Sequence, residues 1–398
     1  MRISSNTLFD SNVAAMGQQQ ARLQQTQQQV STGRRILTAS DDPVAAAMAL
    51  DVSQSDATNT QYEANRNMAR GTLSVAESTL QSVVSLVQDV RDATVIAANS
   101  TFNNSNRATI ATELSGRLQQ LMGLANSTDG QGNYLFSGFQ SRTQPFIDTA
   151  AGISYFGDDG QRLMQVGALR QMAASDSGAN IFMRIRNGNG TFVTQAAATN
   201  SGSGVASVGN VITPASLTGH NYQVDFTGAT TYDVTDTTLG VPVSTGNAYV
   251  SGHAISFDGI QFDIQGVPAN GDQFTITPST NESIFKTVSD MITALNTPVV
   301  GGNSAQLTSS LNRGRNNVDR ALDNILSSQA SLGLRLNEID ALQSAGADLG
   351  LQYKQTLSQI QDVDYNKALS DLTLQQTYLQ AAQKSFAKIS DLSLFNYI

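Results

Sequence analysis

The two histidines are the residues whose chemistry could first indicate a metal or catalytic site. His220 lies in Thr-Gly-His-Asn-Tyr and His253 in Ser-Gly-His-Ala-Ile, and neither has a second histidine within five positions. Zinc sites and histidine-based catalytic sites need further ligands, or a paired nucleophile and base, at defined spacing. We therefore predict that both histidines are surface or strand residues and that the chain binds no metal ion.

Acidic and glycine-rich segments could form two other kinds of site. Asp129-Gly130 and Gly157-Asp-Asp-Gly160 carry carboxylates, but neither has the alternating ligands and closing glutamate of a calcium loop. Gly188-Asn-Gly190 and Gly202-Ser-Gly204 lack the preceding strand and following helix of a nucleotide-binding loop. Turn formation explains the two acidic segments, and no paired nucleophile and base can be assembled from the sequence, so we predict no cofactor and no enzymatic activity.

The composition narrows the remaining function classes. The 398 residues include no cysteine and no tryptophan, 14% are charged, and the net charge is −9. The lack of cysteine excludes disulfides and thiolate chemistry, and an acidic chain without a basic cluster is a poor candidate for binding nucleic acid. Residues 1–10 lack the basic region and apolar run of a cleavable secretory signal, and no run of about 18 apolar residues could span a membrane.

Charged residues that could make defined contacts are concentrated in residues 31–43, which we call the joint. Its sequence is Ser-Thr-Gly-Arg-Arg-Ile-Leu-Thr-Ala-Ser-Asp-Asp-Pro. Gly33 is typical of a helix end, and a polar residue just before Pro43 can cap a new helix. The joint also carries four charged residues, Arg34, Arg35, Asp41 and Asp42, which could pair locally or across a subunit boundary. Alternatively, the joint is a plain polar loop between two helices.

Heptad spacing predicts helices on the N-terminal side of the chain. Before the joint, Met16, Leu23 and Val30 form a weak seam whose partner positions, Gln20 and Gln27, are polar. After the joint, a single helix of roughly 85 Å is expected from residue 43 to about 99, at 1.5 Å per residue. A short break at 102–106 should precede a further helix over 108–126.

Heptad spacing also predicts helices in the C-terminal part. Helix is expected to resume near residue 284 and to continue to the chain end, with a loop at 298–304. The last helix carries Leu372, Leu379 and Phe386 at one heptad position. Four large apolar residues follow in the final seven: Leu392, Leu394, Phe395 and Ile398.

Residues 139–283 differ in character from both flanks. They are rich in Gly, Thr, Ser and Val, and alternating apolar runs predict strands at 221–226, 231–234, 254–257 and 260–264. The block 266–276 should form a polar turn followed by another strand. Asp258-Gly259 between two such runs is a hairpin turn signal. Residues 187–206 are nearly featureless, so we expect an all-β region of one or two subdomains.

The helical seams near the two chain ends each lack a partner of their own. Packing N-terminal against C-terminal helices would bury both seams and close one bundle. The sequence therefore predicts an α+β fold, an elongated rod of long antiparallel helices from both chain ends (a coiled-coil bundle) with an inserted all-β domain. We expect a terminal coiled-coil assembly domain at 1–42 and 365–398, a helical bundle rod domain at 43–138 and 284–364, and an outward-facing β-rich insertion at 139–283.

Five sequence blocks resemble the flagellin superfamily, in that family's order and at both ends of the chain. They are the opening Met-Arg-Ile-Ser, the joint, Leu-Ala-Asn-Ser-Thr-Asp-Gly-Gln-Gly-Asn-Tyr-Leu-Phe-Ser-Gly at 124–138, Asp-Val-Asp-Tyr at 362–365 and Ser-Leu-Phe at 393–395. The proline after the two aspartates is similar to the hook-associated branch of that superfamily.

The resemblance implies a structural component of the bacterial flagellum, an adaptor layer between hook and filament. It further implies self-association in a ring, contact with a neighbouring hook-associated protein and with flagellin, and handling by the flagellar export apparatus and an export chaperone. The chain would be extracellular, exported without a cleaved signal peptide. The expected assembly interface comprises the two seams, the charges of the joint and the apolar tail: Met16, Leu23, Val30, Arg34, Arg35, Asp41, Asp42, Leu372, Leu379, Phe386, Leu392, Leu394, Phe395 and Ile398.

Two alternatives remain open at this point. Within the superfamily, the chain could be flagellin, although Arg2, the proline at 43 and the ending Ser-Leu-Phe-Asn-Tyr-Ile all depart from the usual flagellin pattern. Outside it, the chain could be a free extracellular coiled-coil adhesin that binds host ligands through its β region. A stable homotrimer in solution would favour the adhesin, whereas a monomer would favour the adaptor.

Overall fold

The computed structural model describes residues 5–99, 101–299 and 304–391. Six helices lie at the two ends of this sequence and flank a β-rich middle. The helices are α1 (Ser5–Thr32), α2 (Pro43–Ala97), α3 (Asn104–Ala125), α4 (Ile284–Asn296), α5 (Ala305–Gln361) and α6 (Tyr365–Asp391). The α+β architecture predicted from the sequence, helical ends with an inserted β region, is confirmed.

Fifteen strands are described between α3 and α4. They are β1 (Phe146–Thr149), β2 (Gly152–Tyr155), β3 (Leu163–Gly167), β4 (Arg170–Ala173), β5 (Ile185–Arg186), β6 (Phe192–Ala196), β7 (Val205–Ala206), β8 (Asn210–Val211), β9 (Tyr222–Gly228), β10 (Thr231–Asp236), β11 (Val241–Ala248), β12 (Ala254–Phe257), β13 (Ile260–Gln265), β14 (Gln273–Pro278) and β15 (Asn281–Glu282). Several of these strands are only two residues long.

The chain divides into two compact units. The terminal unit consists of the described parts of Met1–Ala64 and Ala341–Ile398, and the central unit is Asn65–Asp340. The division falls within α2 and α5, so each of these helices contributes to both units.

In the central unit, the heptad positions of α2 and α5 form the helical core. Leu73, Leu80 and Val87 of α2 are fully buried, as are Ile325 and Leu332 of α5. Each set recurs at seven-residue spacing, which returns to the same face of a helix. Burial of such side chains contributes roughly 1.5–3 kcal/mol each.

The break between α2 and α3 follows from local capping chemistry. Asn103 accepts a hydrogen bond from the Asn106 N–H (2.9 Å), and its own N–H donates to Asn106 Oδ1 (3.3 Å). This reciprocal pair is a capping box, which satisfies two donors that the first helical turn would otherwise leave unpaired. α3 then packs against α4.

Two sheets enclose the β core. The larger has the strand order β11-β10-β9-β14-β6, and the smaller has the order β12-β13-β7 with β8 also paired to β13. Apolar side chains alternate inward along β9 and β14, so that Tyr222, Val224, Phe226 and Phe274 are almost completely buried. This alternation is the period-two burial expected for sheets with one covered face.

The turn predicted at Asp258-Gly259 is present between β12 and β13. Phe257 pairs with Ile260, and the two turn residues have φ angles of +43° and +78°. Positive φ at both central positions is typical of a type I′ turn, whose twist matches that of the two flanking strands. The Asp-Gly pair tolerates these positive φ angles.

Secondary structure differs from the sequence-based interpretation in two places. Residues 187–206, in which the sequence indicated no strand, contain β6, which pairs with β14 and buries Phe192 beneath the sheet. The C-terminal helix also does not run unbroken, because it stops at residue 361 and restarts at Tyr365. Asp364 caps the new helix by accepting hydrogen bonds from the N–H groups of Asn366 (3.0 Å) and Lys367 (3.2 Å).

Candidate assembly interface

The joint is held by backbone hydrogen bonds to the break between α5 and α6. Gly33 ends α1 with φ +72° and accepts a hydrogen bond from the Val363 N–H (2.9 Å). The Arg35 N–H donates to the Gln361 carbonyl oxygen (2.7 Å), and Arg34 forms an antiparallel bridge with Asp362. The joint and the helix break therefore form one structural element within the terminal unit.

The Arg35 side chain adds two contacts to this element. It donates to the carbonyl oxygen of Ile360 (2.8 Å) and lies 3.3 Å from the carboxylate of Asp42. Both members of this ion pair are substantially exposed, so the pair contributes little to stability by itself. The predicted pairing within the joint is thus present for Arg35 and Asp42, whereas Arg34 takes part through its backbone.

The two aspartates of the joint hold backbone N–H groups. Asp41 accepts hydrogen bonds from the N–H groups of Thr38 and Leu37, both 2.9 Å long. These two bonds lower the pKa of Asp41 below its ordinary value. Asp42 accepts one from the Ala45 N–H (3.1 Å), which lowers its pKa in the same way and caps α2. Each carboxylate thus stabilises the turn as an anion.

The α1 and α6 helices pack against each other along the predicted seams. The rings of Phe9 and Phe386 lie 5.1 Å apart, and Met16 and Phe386 line a groove of about 310 Å³. All six predicted seam residues are half-buried in the single chain: Met16, Leu23, Val30, Leu372, Leu379 and Phe386. The structure thus brings the two predicted seams together.

One detail of the α1 seam differs from the prediction. Gln20 and Gln27 are exposed, and the positions that alternate with Met16 are Gln19 and Thr26. A seam can pass from Met16 to residue 19 or to residue 20, and likewise to residue 26 or 27, because steps of three and four residues both return to one helix face. All four of these residues are polar, so the hydrophobic pattern does not distinguish the two arrangements.

The terminal unit buries almost no apolar core. Ala49 and Ala368 are the only hydrophobic residues that are buried among its described residues. By contrast, large hydrophobic side chains of the same unit are 39–68% exposed: Phe9, Val13, Val44, Met48, Leu50, Leu349, Leu351, Tyr365, Leu369, Leu374 and Tyr378. Exposed apolar surface of this extent is typical of association sites.

The remaining predicted residues fall into two groups. The tail residues lie outside the described part of the chain: Leu392, Leu394, Phe395 and Ile398. The acidic segments form turns, since Asp129 accepts from the Asn133 N–H (2.9 Å) and Asp158 accepts from the Phe139 N–H (2.9 Å). Within the described ranges, no group of three acidic or histidine side chains is arranged around a common point, and no helix combines the length and hydrophobicity that crossing a membrane requires.

His220 has a partner that the sequence did not reveal. Its Nδ1 lies 2.6 Å from Asp236 Oδ2, and the Asp236 side chain is 5% exposed. The two residues are 16 positions apart and meet because β9 and β10 form a hairpin, so no local spacing could have predicted the contact.

Comparison with known proteins places both ends of the chain in one family. Family models match for the bacterial flagellin N-terminal helical region (residues 3–141), the bacterial flagellin C-terminal helical region (316–398) and the D2-like domain of flagellar hook-associated protein 1 (195–278). The chain is similar to flagellar hook-associated protein 3 of Salmonella typhimurium, with 30% identity over 99% of both chains.

Solved structures of the same kind are also similar. FlgL of Xanthomonas campestris matches with a TM-score of 0.73 and 33% identity, covering 77% of this chain and 99% of that one. The flagellar junction protein FlgL of Legionella pneumophila matches with a TM-score of 0.72 and 33% identity, covering 79% and 100%.

Proposed function

The chain belongs to the flagellar hook-associated protein 3 family, and we propose that it forms the layer joining the flagellar hook to the filament. Its relatives are named as hook-associated and junction proteins, which favours this role over that of a filament subunit. As a member of this family the chain is a flagellar component, and the proposed role is structural rather than enzymatic.

One observation carries the proposal. The terminal unit folds with helices in contact, yet among its described residues no large apolar side chain is fully buried and eleven are exposed. A unit that buries only alanines gains little hydrophobic stabilisation of its own. Association with neighbouring subunits would bury this surface, so the unit is suited to assembly.

The sequence-based division supplies the expected roles of the parts. Residues 1–42 and 365–398 would form the coiled-coil assembly domain, 43–138 and 284–364 the helical bundle, and 139–283 an insertion that faces away from the assembled core. The pairing of α1 with α6 and the separate β core support this division. In the assembly the chain would associate with copies of itself in a ring, with a neighbouring hook-associated protein and with flagellin.

The route that we propose to this position rests on the same family membership. We expect the chain to pass through the flagellar export apparatus with the help of an export chaperone, and to act outside the cell without loss of a signal peptide. The adhesin alternative predicts a stable homotrimer in solution, whereas the adaptor should be monomeric until it is incorporated.

Immunogold labelling of isolated flagella tests the proposal. Antibody against the β region should label a single band where the hook meets the filament, and a strain that lacks the chain should carry hooks without filaments. Gold along the whole filament would indicate flagellin. Gold on the cell surface away from flagella would support the adhesin and contradict the adaptor.

A further inference from the structure

The groove between α1 and α6 lies wholly within the terminal unit and is open to solvent along one side. Its lining residues come from 12–19 of α1 and 378–386 of α6, and none of the described residues that line it is charged. A single water needs about 10–15 Å³ of such space, so a groove of about 310 Å³ has room for large side chains.

The walls of the groove are mainly apolar and continue into exposed apolar side chains. Val13 and Leu374 are each 48% exposed. Val13 lies three residues before Met16, and Leu374 lies four residues before Tyr378, so each shares a helix face with a lining residue. The apolar wall residues are Ala15, Met16, Ala382 and Phe386. In a single chain this surface faces water, which favours its burial by another apolar group.

The seven residues that follow α6 have the composition and length to fill the groove. Residues 392–398 carry no charged side chain, and four of the seven are the large apolar residues of the tail. Fully extended, seven residues span about 23–25 Å at roughly 3.3–3.6 Å per residue. The lining part of α6, from 378 to 386, covers only about 12 Å at 1.5 Å per residue.

The sequence around the end of α6 disfavours entry of the tail into the groove of its own chain. The groove lies along α6 before the end of the helix at Asp391, so the tail would have to reverse direction to enter it. Helices that reverse direction sharply usually have Gly or Asn just after their last turn. Residues 389–395 contain neither. The groove of a second copy requires no such reversal.

We propose that residues 392–398 of one copy occupy the α1–α6 groove of a neighbouring copy. Each copy offers one tail and one groove, so copies join head to tail, and contacts of this kind close into rings when the rotation between copies closes. The contact presupposes the self-association proposed above and specifies which two surfaces meet. In dilute solution the groove stays open to water, because filling it from another copy costs the freedom of both copies.

Peptide binding to the full-length chain tests the pairing of tail and groove. The probe is a fluorescein-labelled peptide of residues 391–398, and its fluorescence anisotropy is measured as the chain is added. We expect saturable binding with a Kd below about 1 mM, and a peptide with Leu394→Gln and Phe395→Gln should bind at least tenfold more weakly.

Three results of this measurement would overturn the proposal. They are absence of saturable binding, equal binding of the two peptides, and binding that appears only after the chain is truncated following Ser390. The third result would mean that the tail fills the groove of its own chain.

A matched pair of variants locates the bound peptide. Ala15 lines the groove and its neighbour Ala14 does not, and both residues are exposed. Ala15→Glu should weaken peptide binding at least tenfold, because it places a charge between apolar walls. Ala14→Glu adds the same charge outside the groove and should leave binding unchanged. Equal effects of the two variants would place the peptide elsewhere and overturn the assignment.

Cysteine cross-linking in isolated flagella tests the contact between copies. The chain has no cysteine, so Ser385→Cys in the groove and Ser393→Cys in the tail introduce its only thiols. Oxidation with copper phenanthroline should link successive copies into a ladder of multimers on a denaturing gel. In the control, Gln383→Cys replaces Ser385→Cys at an exposed position outside the groove, and it should leave the chain monomeric.

The outcomes of cross-linking separate this contact from the proposed function. A disulfide formed only within one chain, or no disulfide in flagella that contain the variant, would overturn the contact between copies. Specific peptide binding by a chain that immunogold labelling places away from the junction would instead leave the contact standing and contradict the function proposed above.

Discussion

The Arg35 N–H donates a hydrogen bond of 2.7 Å to the carbonyl oxygen of Gln361, and so joins two helix breaks from opposite ends of the chain. The reciprocal bond from the Val363 N–H to Gly33 closes a short two-stranded pairing. This pairing connects the start of α2 and the end of α5 to the packed pair of helices α1 and α6.

Gly33 should be required for this pairing. It has φ +72°, and a Cβ at this position would lie 3.0 Å from the Tyr365 hydroxyl oxygen. Gly33→Ala should therefore destabilise the terminal unit locally by about 1–2 kcal/mol. Amide hydrogen exchange should show faster exchange in α1 and α6 but unchanged exchange in the β core.

Gly17→Ala is the matched control for this substitution. Gly17 lies inside α1, and a Cβ there meets no atom within 4 Å. Alanine favours the helix by about 0.5–1 kcal/mol over glycine, so this variant should slow exchange slightly. Equal effects of the two variants would show that the left-handed geometry of residue 33 is unimportant.

The carboxylate of Asp158 should make the central unit sensitive to acid. Its pKa lies below the ordinary value of 3.8, chiefly because the Phe139 N–H donates to it, with further hydrogen bonds from Gly160 and Gln140 outweighing the effect of burial. A lowered pKa contributes stability that is present above the ordinary value and is lost as the pH falls through the native value.

Asp158→Asn should therefore lower the melting temperature at pH 7, and the difference from the unmodified chain should narrow as the pH falls towards 3. Thermal unfolding followed by circular dichroism between pH 7 and pH 3 measures both effects. Asp148→Asn is the control, because the exposed Asp148 carboxylate accepts no hydrogen bond within the described residues. A constant difference across the pH range would contradict the assigned hydrogen bonds.

Truncation after Ser390 should separate assembly from folding. Four large apolar residues follow this position, and chain ends are seldom buried unless a partner covers them. The melting temperature of the monomer should stay almost unchanged, whereas incorporation at the junction should be lost and flagellin should appear in the culture medium. A markedly lower melting temperature, or normal filaments, would make the tail an ordinary part of the fold.

Sequence pattern predicted the features that depend on neighbouring residues. The buried positions of α2 and α5 follow from heptad spacing. A cap before Pro43 also follows from the sequence, which offered Ser40, Asp41 or Asp42, and the structure shows Asp42 in that role. The Asp258-Gly259 hairpin is equally local, because two residues determine its turn.

Features that depend on distant residues were not predictable in the same way. The break before Tyr365 is stabilised by backbone bonds to residues 33–35, which leave no mark in the surrounding hydrophobic pattern. Strand β6 is specified by its pairing with β14 rather than by its own composition. The choice of Gln19 and Thr26 over Gln20 and Gln27 depends on how α6 packs against α1.

The central claim is that the exposed apolar surface of the terminal unit drives assembly. A variant that removes part of this surface tests the claim most directly. Leu369, Leu374 and Tyr378 of α6 are 48–53% exposed in the terminal unit, and all three are changed to Gln. The control changes three comparably exposed apolar residues on helices of the central unit to Gln: Met68, Leu326 and Leu334. Neither triple variant should alter the monomer's melting temperature much, because exposed substitutions seldom change stability by more than about 0.5 kcal/mol each.

The decisive measurement is the fraction of hooks that carry a filament when each variant replaces the chain in a strain that lacks it, counted by electron microscopy. If the exposed apolar surface of the terminal unit drives assembly, the α6 variant should leave most hooks bare while the control variant restores filaments. Normal filaments with the α6 variant, at unchanged monomer stability, would contradict that claim.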